Sequence, residues 1–145
     1  MQKKSEKRVV DVEKVLASDK PVSADKCGGA INKISLSGIV RFESNSARIQ
    51  SASFPTLDKI VSVARKCPTA RFEISGHTDS SGSESYNQNL SLRRAKSIVA
   101  YMAGKGIAGE RMKSAGYGES RPIVANDSDE NKARNRRIEF KVLTN

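Results

Sequence analysis

Apolar and polar positions along the chain change period several times, and each period predicts an element. Val9, Val12, Val15 and Leu16 have helical spacing on a short piece without a strong cap, which predicts a frayed helix or linker. After Pro21 and Ser23, the apolar run Ile34, Leu36, Ile39, Val40 and Phe42 predicts a strand bent at Gly38. SNSARIQSASFP, residues 44–55, is polar and turn-like. It leads into a helix from about Ser53 with Pro55 in its first turn. Leu57, Ile60, Val61 and Ala64 form the stripe of a helix packed on a sheet, and Cys67-Pro68 ends it. Residues 70–76 alternate, with Phe72 and Ile74 opposite Arg71, Glu73 and Ser75, as a half-buried strand does. A loop rich in Ser, Gly and Asp follows. A second helical stripe then runs through Ala95, Ile98, Val99 and Met102, with Ser91 as its expected N-cap and Gly104 and Gly106 as its stop. After the Gly-rich turn AGYGESRP, Ile138, Phe140 and Val142 alternate with Arg137, Glu139 and Lys141.

Strand, helix, strand, helix, strand predicts an α+β fold: a two-layer α/β sandwich of βαβαβ type, its helices on one face of a small mixed sheet. Residues 27–145 are expected to form that domain. Residues 1–26 are expected to be an N-terminal linker or frayed helix, the tail of an upstream region.

Composition narrows the partners. The 145 residues carry 26 Lys plus Arg against 16 Asp plus Glu, a formal net charge of +10. Residues 1–26 hold seven basic and five acidic side chains, so most of the excess lies in the expected domain. No window approaches the roughly 18 apolar residues of a membrane-spanning helix, and the opening stretch lacks the apolar core of a signal peptide. Nucleic acid, an anionic membrane surface and an acidic wall polymer all suit a basic chain. The cations are scattered, with one knot at Arg134, Arg136 and Arg137. Of the seven aromatic residues, Phe42, Phe72 and Phe140 are claimed by expected strands, which leaves little for stacking on bases. Nucleic acid is therefore disfavoured.

The densest chemistry lies in GHTDSSGSESYNQNLSLRRA, residues 76–95. Asp79 in the loop offers an acceptor to a cation. Arg94, expected in the first turn of the following helix, offers a planar fork to a carboxylate beside the positive end of the helix dipole. A ligand end bearing an ammonium and a carboxylate would satisfy both. The alternative is that Asp79 and Arg94 pair with each other while the Ser, Asp and Asn side chains only shape the loop. No further carboxylates surround Asp79, and one histidine cannot make a metal site alone, so no metal and no cofactor are expected. His77 is expected to be structural, hydrogen bonding to backbone at the strand end. No GxSxG elbow or pair of carboxylates points to a hydrolase. Cys27 and Cys67 lack the CxxC or His-rich context of zinc or redox chemistry and fit either two buried thiols or one disulfide.

These motifs carry a resemblance. GHTD, Tyr86-Asn87, LSLRRA at 90–95, GYG at 116–118 and ARNRRIEF at 133–140, in this order, resemble the OmpA-like C-terminal domain of OmpA, Pal and MotB proteins over about Ile34 to Val142. RFESNSARI at 41–49 is similar to that family's first strand and following loop, with Glu43 where Asp is more usual. The resemblance implies a non-catalytic module that grips the meso-diaminopimelate end of the peptidoglycan stem peptide. Its principal pair falls on Asp79 and Arg94. Asn87, Asn45, Thr78 and Phe42 are implied as further ligand-binding positions, with Gly76, His77, Arg136 and Arg137 supporting, one of the two arginines serving the site or the fold. It also implies a subset whose first strand and first helix are tied by a Cys27–Cys67 disulfide. The expected location is the periplasm, within an outer-membrane or other envelope protein whose membrane contacts lie outside this chain. The oligomeric state stays open.

Overall fold

The computed structural model describes residues 11–143. Helix α1 (Val12–Ala17) is capped by Asp11, whose Oδ1 accepts the amides of Glu13 and Lys14, and it buries Val15 against the next two helices. The expected helical spacing began at Val9, which lies outside the described residues. Helix α2 (Ala24–Ser37) follows, then α3 (Phe54–Lys66), β1 (Arg71–His77), α4 (Glu84–Gly104), β2 (Met112–Gly116), α5 (Asp129–Asn135) and β3 (Arg137–Leu143). The sheet order is β2, β1, β3, with β1 parallel to β2 and antiparallel to β3. Parallel neighbours need a long crossover, and α4 supplies it, packing on both strands it joins. Phe72, Ile74 and Phe140 of the sheet close the core with Leu57 and Ile60 of α3 and Ile98 and Met102 of α4. The result is the expected small mixed sheet with helices packed against it.

Three expectations change. The strand expected over Ile34–Phe42 is the end of α2 followed by irregular chain, and Phe42 makes only an isolated bridge to Ile49. Cys27, Ala30, Ile31 and Ile34 recur at helical spacing and are all buried, whereas Leu36, needed for the alternation, is 84% exposed. α2 therefore runs across the 26/27 boundary expected between linker and domain. Second, α4 begins at Glu84 behind the N-cap Ser83, not at Ser91, which is fully buried in the helix interior. Third, the Gly-rich stretch after α4 opens with β2, and the polar segment before β3 forms α5, capped by Ser128.

Cys27 and Cys67 form a disulfide that ties the first turn of α2, rather than the expected first strand, to the C-cap of α3. Arg111 finishes the same helix end. Its guanidinium donates to the carbonyls of Ala64 (2.9 Å), Cys67 (2.7 Å) and Ala70 (2.8 Å), adding to the Cys67 amide on the Ala64 carbonyl and the Ala70 amide on the Cys67 carbonyl at this helix end.

Candidate functional site

The end of β1 opens into a cleft of about 550 Å³ between the 78–83 loop, the first half of α4, the 41–50 turn and the junction of α5 with β3. Asp79 lies at its base, 7% exposed. Its Oδ1 accepts the Ser81 amide at 2.8 Å and its Oδ2 accepts Arg136 Nη1 at 2.5 Å. Burial alone would raise the Asp79 pKa. The Ser81 amide and the Arg136 guanidinium outweigh burial and hold the carboxyl below the ordinary aspartate value, so it is an anion at neutral pH.

The loop that carries Asp79 is fastened at several points. Thr78 Oγ1 donates to the Asp79 carbonyl at 2.8 Å, and the Thr78 amide donates to the Gly118 carbonyl. Asn87, in the first turns of α4 and 4% exposed, turns its Nδ2 toward the carbonyls of Asp79 (3.3 Å) and Ser81 (2.8 Å) and toward Glu119 Oε1 (3.1 Å). Its amide nitrogen is committed to the loop, which leaves Oδ1 as the atom available to a ligand.

Arg94 stands on the same face of α4 as Asn87, seven residues on with Leu90 between them. It lies about three turns into the helix, too deep for the dipole of the helix start to reach it. Nor does it pair with Asp79. Its Nε donates to the Ser46 carbonyl at 2.8 Å, its Nη2 to the Glu43 carbonyl at 3.3 Å, and its guanidinium lies 5.0 Å from the Phe42 ring centroid. Arg94 thus holds the 43–46 turn in place while its Nη1 has no protein partner among the described residues. Asn45 adopts φ 53° in that turn and accepts from Tyr86 Oη at 3.4 Å, closing the rim.

The two adjacent arginines of ARNRRIEF, Arg136 and Arg137, divide their work. Arg136 turns to Asp79. Arg137 donates to the carbonyls of Asn135 and Arg121 and pairs with Glu139 at 2.6 Å, holding the end of β3. Asn135, fully buried, bonds both amide and carbonyl groups of the 123–126 segment and fixes the backbone from which both arginines leave.

His77 differs from expectation. Its Nε2 meets Ser75 Oγ at 2.9 Å rather than backbone, Glu139 Oε1 lies 3.7 Å from the same nitrogen, and its Nδ1 is buried without a partner among the described residues. Burial first, and then the nearby Arg137, lowers its pKa from 6.5 to about 4. The neutral ring folded and the proton-binding ring unfolded make acid destabilising. As pH falls through 6.5 the unfolded chain takes up a proton that the folded chain refuses, and the loss levels off near pH 4. That window should cost about 3 kcal/mol. Denaturant melts of the wild type and His77→Gln at pH 7 and pH 4.5 check it: equal acid losses in the two proteins would refute the assignment.

All ten expected site positions, Phe42, Asn45, Gly76, His77, Thr78, Asp79, Asn87, Arg94, Arg136 and Arg137, line this one cleft. Tyr86, Leu90 and Gln50 line it as well, as does Arg41, and none of these was singled out from the sequence as a site residue. Among the described residues no group of three or more His, Cys, Asp or Glu is arranged to hold a metal, and no helix is long and apolar enough to cross a membrane.

Residues 41–136 match the OmpA family. The chain belongs to that family. The OmpA-family match contains every cleft position named above except Arg137, which follows it directly. The chain is 36% identical over 113 residues to the peptidoglycan-binding protein ArfA of Mycobacterium tuberculosis, covering 78% of this chain and 34% of ArfA. It is 32% identical over 122 residues to outer membrane porin F of Pseudomonas aeruginosa, covering 83% of this chain and 35% of the porin. The chain thus spans about a third of the length of these curated relatives. The solved structure of the cell wall anchor of the T6SS from Pseudomonas aeruginosa aligns over 79% of this chain and 93% of its own, with a TM-score of 0.67 at 25% identity.

Proposed function

We propose that this OmpA-family domain binds peptidoglycan without catalysis, gripping the meso-diaminopimelate end of the stem peptide and so anchoring an envelope protein to the wall from the periplasmic side. The observation that carries the reading is the separation of charges in one cleft: an ionised, buried Asp79 and, on another element, an Arg94 not neutralised by it. With the Ser81 amide, the Ser81 hydroxyl and Arg136 already on it, Asp79 keeps one of its four lone-pair positions, enough for one N–H of an ammonium. The open edge of Arg94 suits a carboxylate. Asn87 Oδ1 and the Asn45 amide add neutral partners, while Phe42 and Leu90 offer apolar surface to the methylene chain between the two charged ends. A relative named for peptidoglycan binding and a neighbour described as a cell wall anchor support the same reading.

Asp79→Asn preserves an oxygen for the Ser81 amide and removes the charge. It should weaken binding of a diaminopimelate-containing peptide roughly tenfold to a hundredfold, the worth of one charge-assisted contact, and abolish co-sedimentation with purified sacculi. Undiminished binding by a folded Asp79→Asn protein would defeat the mechanism. A peptide amidated at the carboxylate opposite Arg94 should bind more weakly than the free acid.

A further inference from the structure

β3 is an outer strand: β1 pairs with one of its edges, and no described strand pairs with the other. Along that free edge runs a groove of about 870 Å³, bounded by one face of α2 and by residues 39–40. Residues beyond them turn away, since the Arg41 amide bonds Ser53 Oγ and its carbonyl accepts from the Gln50 amide. Three large apolar side chains stand exposed around the groove, Leu36 at 84%, Ile39 at 55% and Ile123 at 53%. An open edge beside apolar surface is a template for a further strand.

The sequence of β3 indicates which strand. RIEFKVL is self-complementary when two copies run antiparallel about a two-fold axis at Phe140. Ile138 then faces Val142, Phe140 faces its own copy, and Glu139 faces Lys141 twice. Glu139 already holds Arg137 at 2.6 Å, whereas Lys141 is exposed and has no ion-pair partner among the described residues. The charges select this register. Moving the axis to Glu139 sets two carboxylates opposite each other, and moving it to Lys141 sets two ammonium groups opposite, both unfavourable. We infer that the β3 edge and its groove form a two-fold interface with a second copy of this chain, giving a continuous six-stranded sheet with Leu36, Ile39 and Ile123 of both copies covered. The interface is isologous and sets the two Asp79 clefts at opposite ends of the paired strands.

Sedimentation velocity of the full chain over a range of concentrations tests this. A reversible dimer is expected. Lys141→Glu and Glu139→Lys should each weaken it by roughly tenfold or more, because two like-charge pairs replace two opposite ones. Mixing those two variants should restore association as a heterodimer, and Leu36→Asp, at a side chain that makes little contact in the monomer, should weaken the dimer with no change in the melting temperature of the monomer. Asp79→Asn should dimerise as the wild type does, which separates this inference from the proposed ligand. A chain that stays monomeric at the highest concentration, a dimer indifferent to all three substitutions, or single variants that fail to recombine would overturn it.

Discussion

Replacing both Cys27 and Cys67 by alanine is expected to lower the stability of the fold by about 4 kcal/mol. The bond joins positions 40 residues apart, and closing a loop of that length removes conformational freedom from the unfolded chain worth about that much in the chain-entropy model. Both cysteines are fully buried, so the alanines also leave unfilled space between α2 and α3. For a domain of this size the melting temperature should fall by roughly 8–16 °C. Thermal unfolding of the double variant, beside the wild type with and without reductant, measures it. A fall of less than a few degrees would mean that the packing of Ala30, Ile31 and Ile34 against α3 and the sheet holds α2 without the covalent tie. The consequence reaches the cleft, because α2 leads through residues 38–41 into the turn that Arg94 grips. The variant should therefore lose ligand binding at a lower temperature than the wild type, while binding normally when cold.

What the sequence revealed of the fold follows from where apolar side chains are spent. α3, β1 and β3 each bury an unbroken stripe or alternation, so Leu57, Ile60, Phe72, Ile74 and Phe140 announce themselves. α5 has the sequence DENKARN and buries only Asn135, so hydrophobic periodicity is silent there and the local signals are the Ser128 cap, the acidic first turn at Asp129 and Glu130 and the basic last turn at Lys132 and Arg134. β2, MKSAG, contains no β-branched residue and is made a strand by pairing with β1. In α2 two signals compete. Cys27, Ala30, Ile31 and Ile34 have the helical period, while Gly28 and Gly29 weaken it and Ile34, Leu36, Val40 and Phe42 alternate like a strand. Burial against α3 and β3 decides for the helix.

The site shows a similar division. Its residues were legible as motifs, but their roles depend on backbone groups and on an element start that side-chain patterns do not disclose. The first two turns of α4 are polar because Asn87, which faces inward, is buried by hydrogen bonds to the loop rather than by apolar contact. The apolar period starts at Leu90, and so the helix was expected to start at Ser91. That shift of two turns moves Arg94 from the helix end to its third turn and replaces a dipole argument with hydrogen bonds to the carbonyls of Glu43 and Ser46. The open alternative, a direct Asp79–Arg94 pair, gives way to Asp79–Arg136, a partner 57 positions distant that local spacing cannot reveal.

Gly76→Ala should cost about 3 kcal/mol, the upper end for overpacking, and take ligand binding with it. A Cβ built on Gly76 falls 2.2 Å from the backbone oxygen of Ser91, and one on Gly116 falls 2.5 Å from the amide nitrogen of Leu92. Gly76 and Gly116 are register partners across β1 and β2, so together they make a bare patch on which the backbone of α4 rests. Ser91 and Gln88 complete the seat: Ser91 Oγ accepts the Gly118 amide, and Gln88 Nε2 donates to the Gly116 carbonyl. A carbon facing a carbonyl oxygen needs about 3.3 Å even in a favourable contact. Accommodating alanine therefore requires α4 to lift by about 1 Å. That helix carries Asn87 and Arg94, whereas Asp79 leaves the end of β1, so the lift changes the spacing of the two charges directly, by more than the roughly 0.5 Å a preorganised site tolerates. Gly104, at the last position of the same helix with open space around it, provides the control, since alanine there should be neutral or stabilising by up to about 1 kcal/mol. Melting curves and peptide titrations of the two variants side by side read the contrast. If Gly76→Ala keeps wild-type stability and affinity, the close seat of α4 on the paired glycines is not what sets the distance between Asp79 and Arg94.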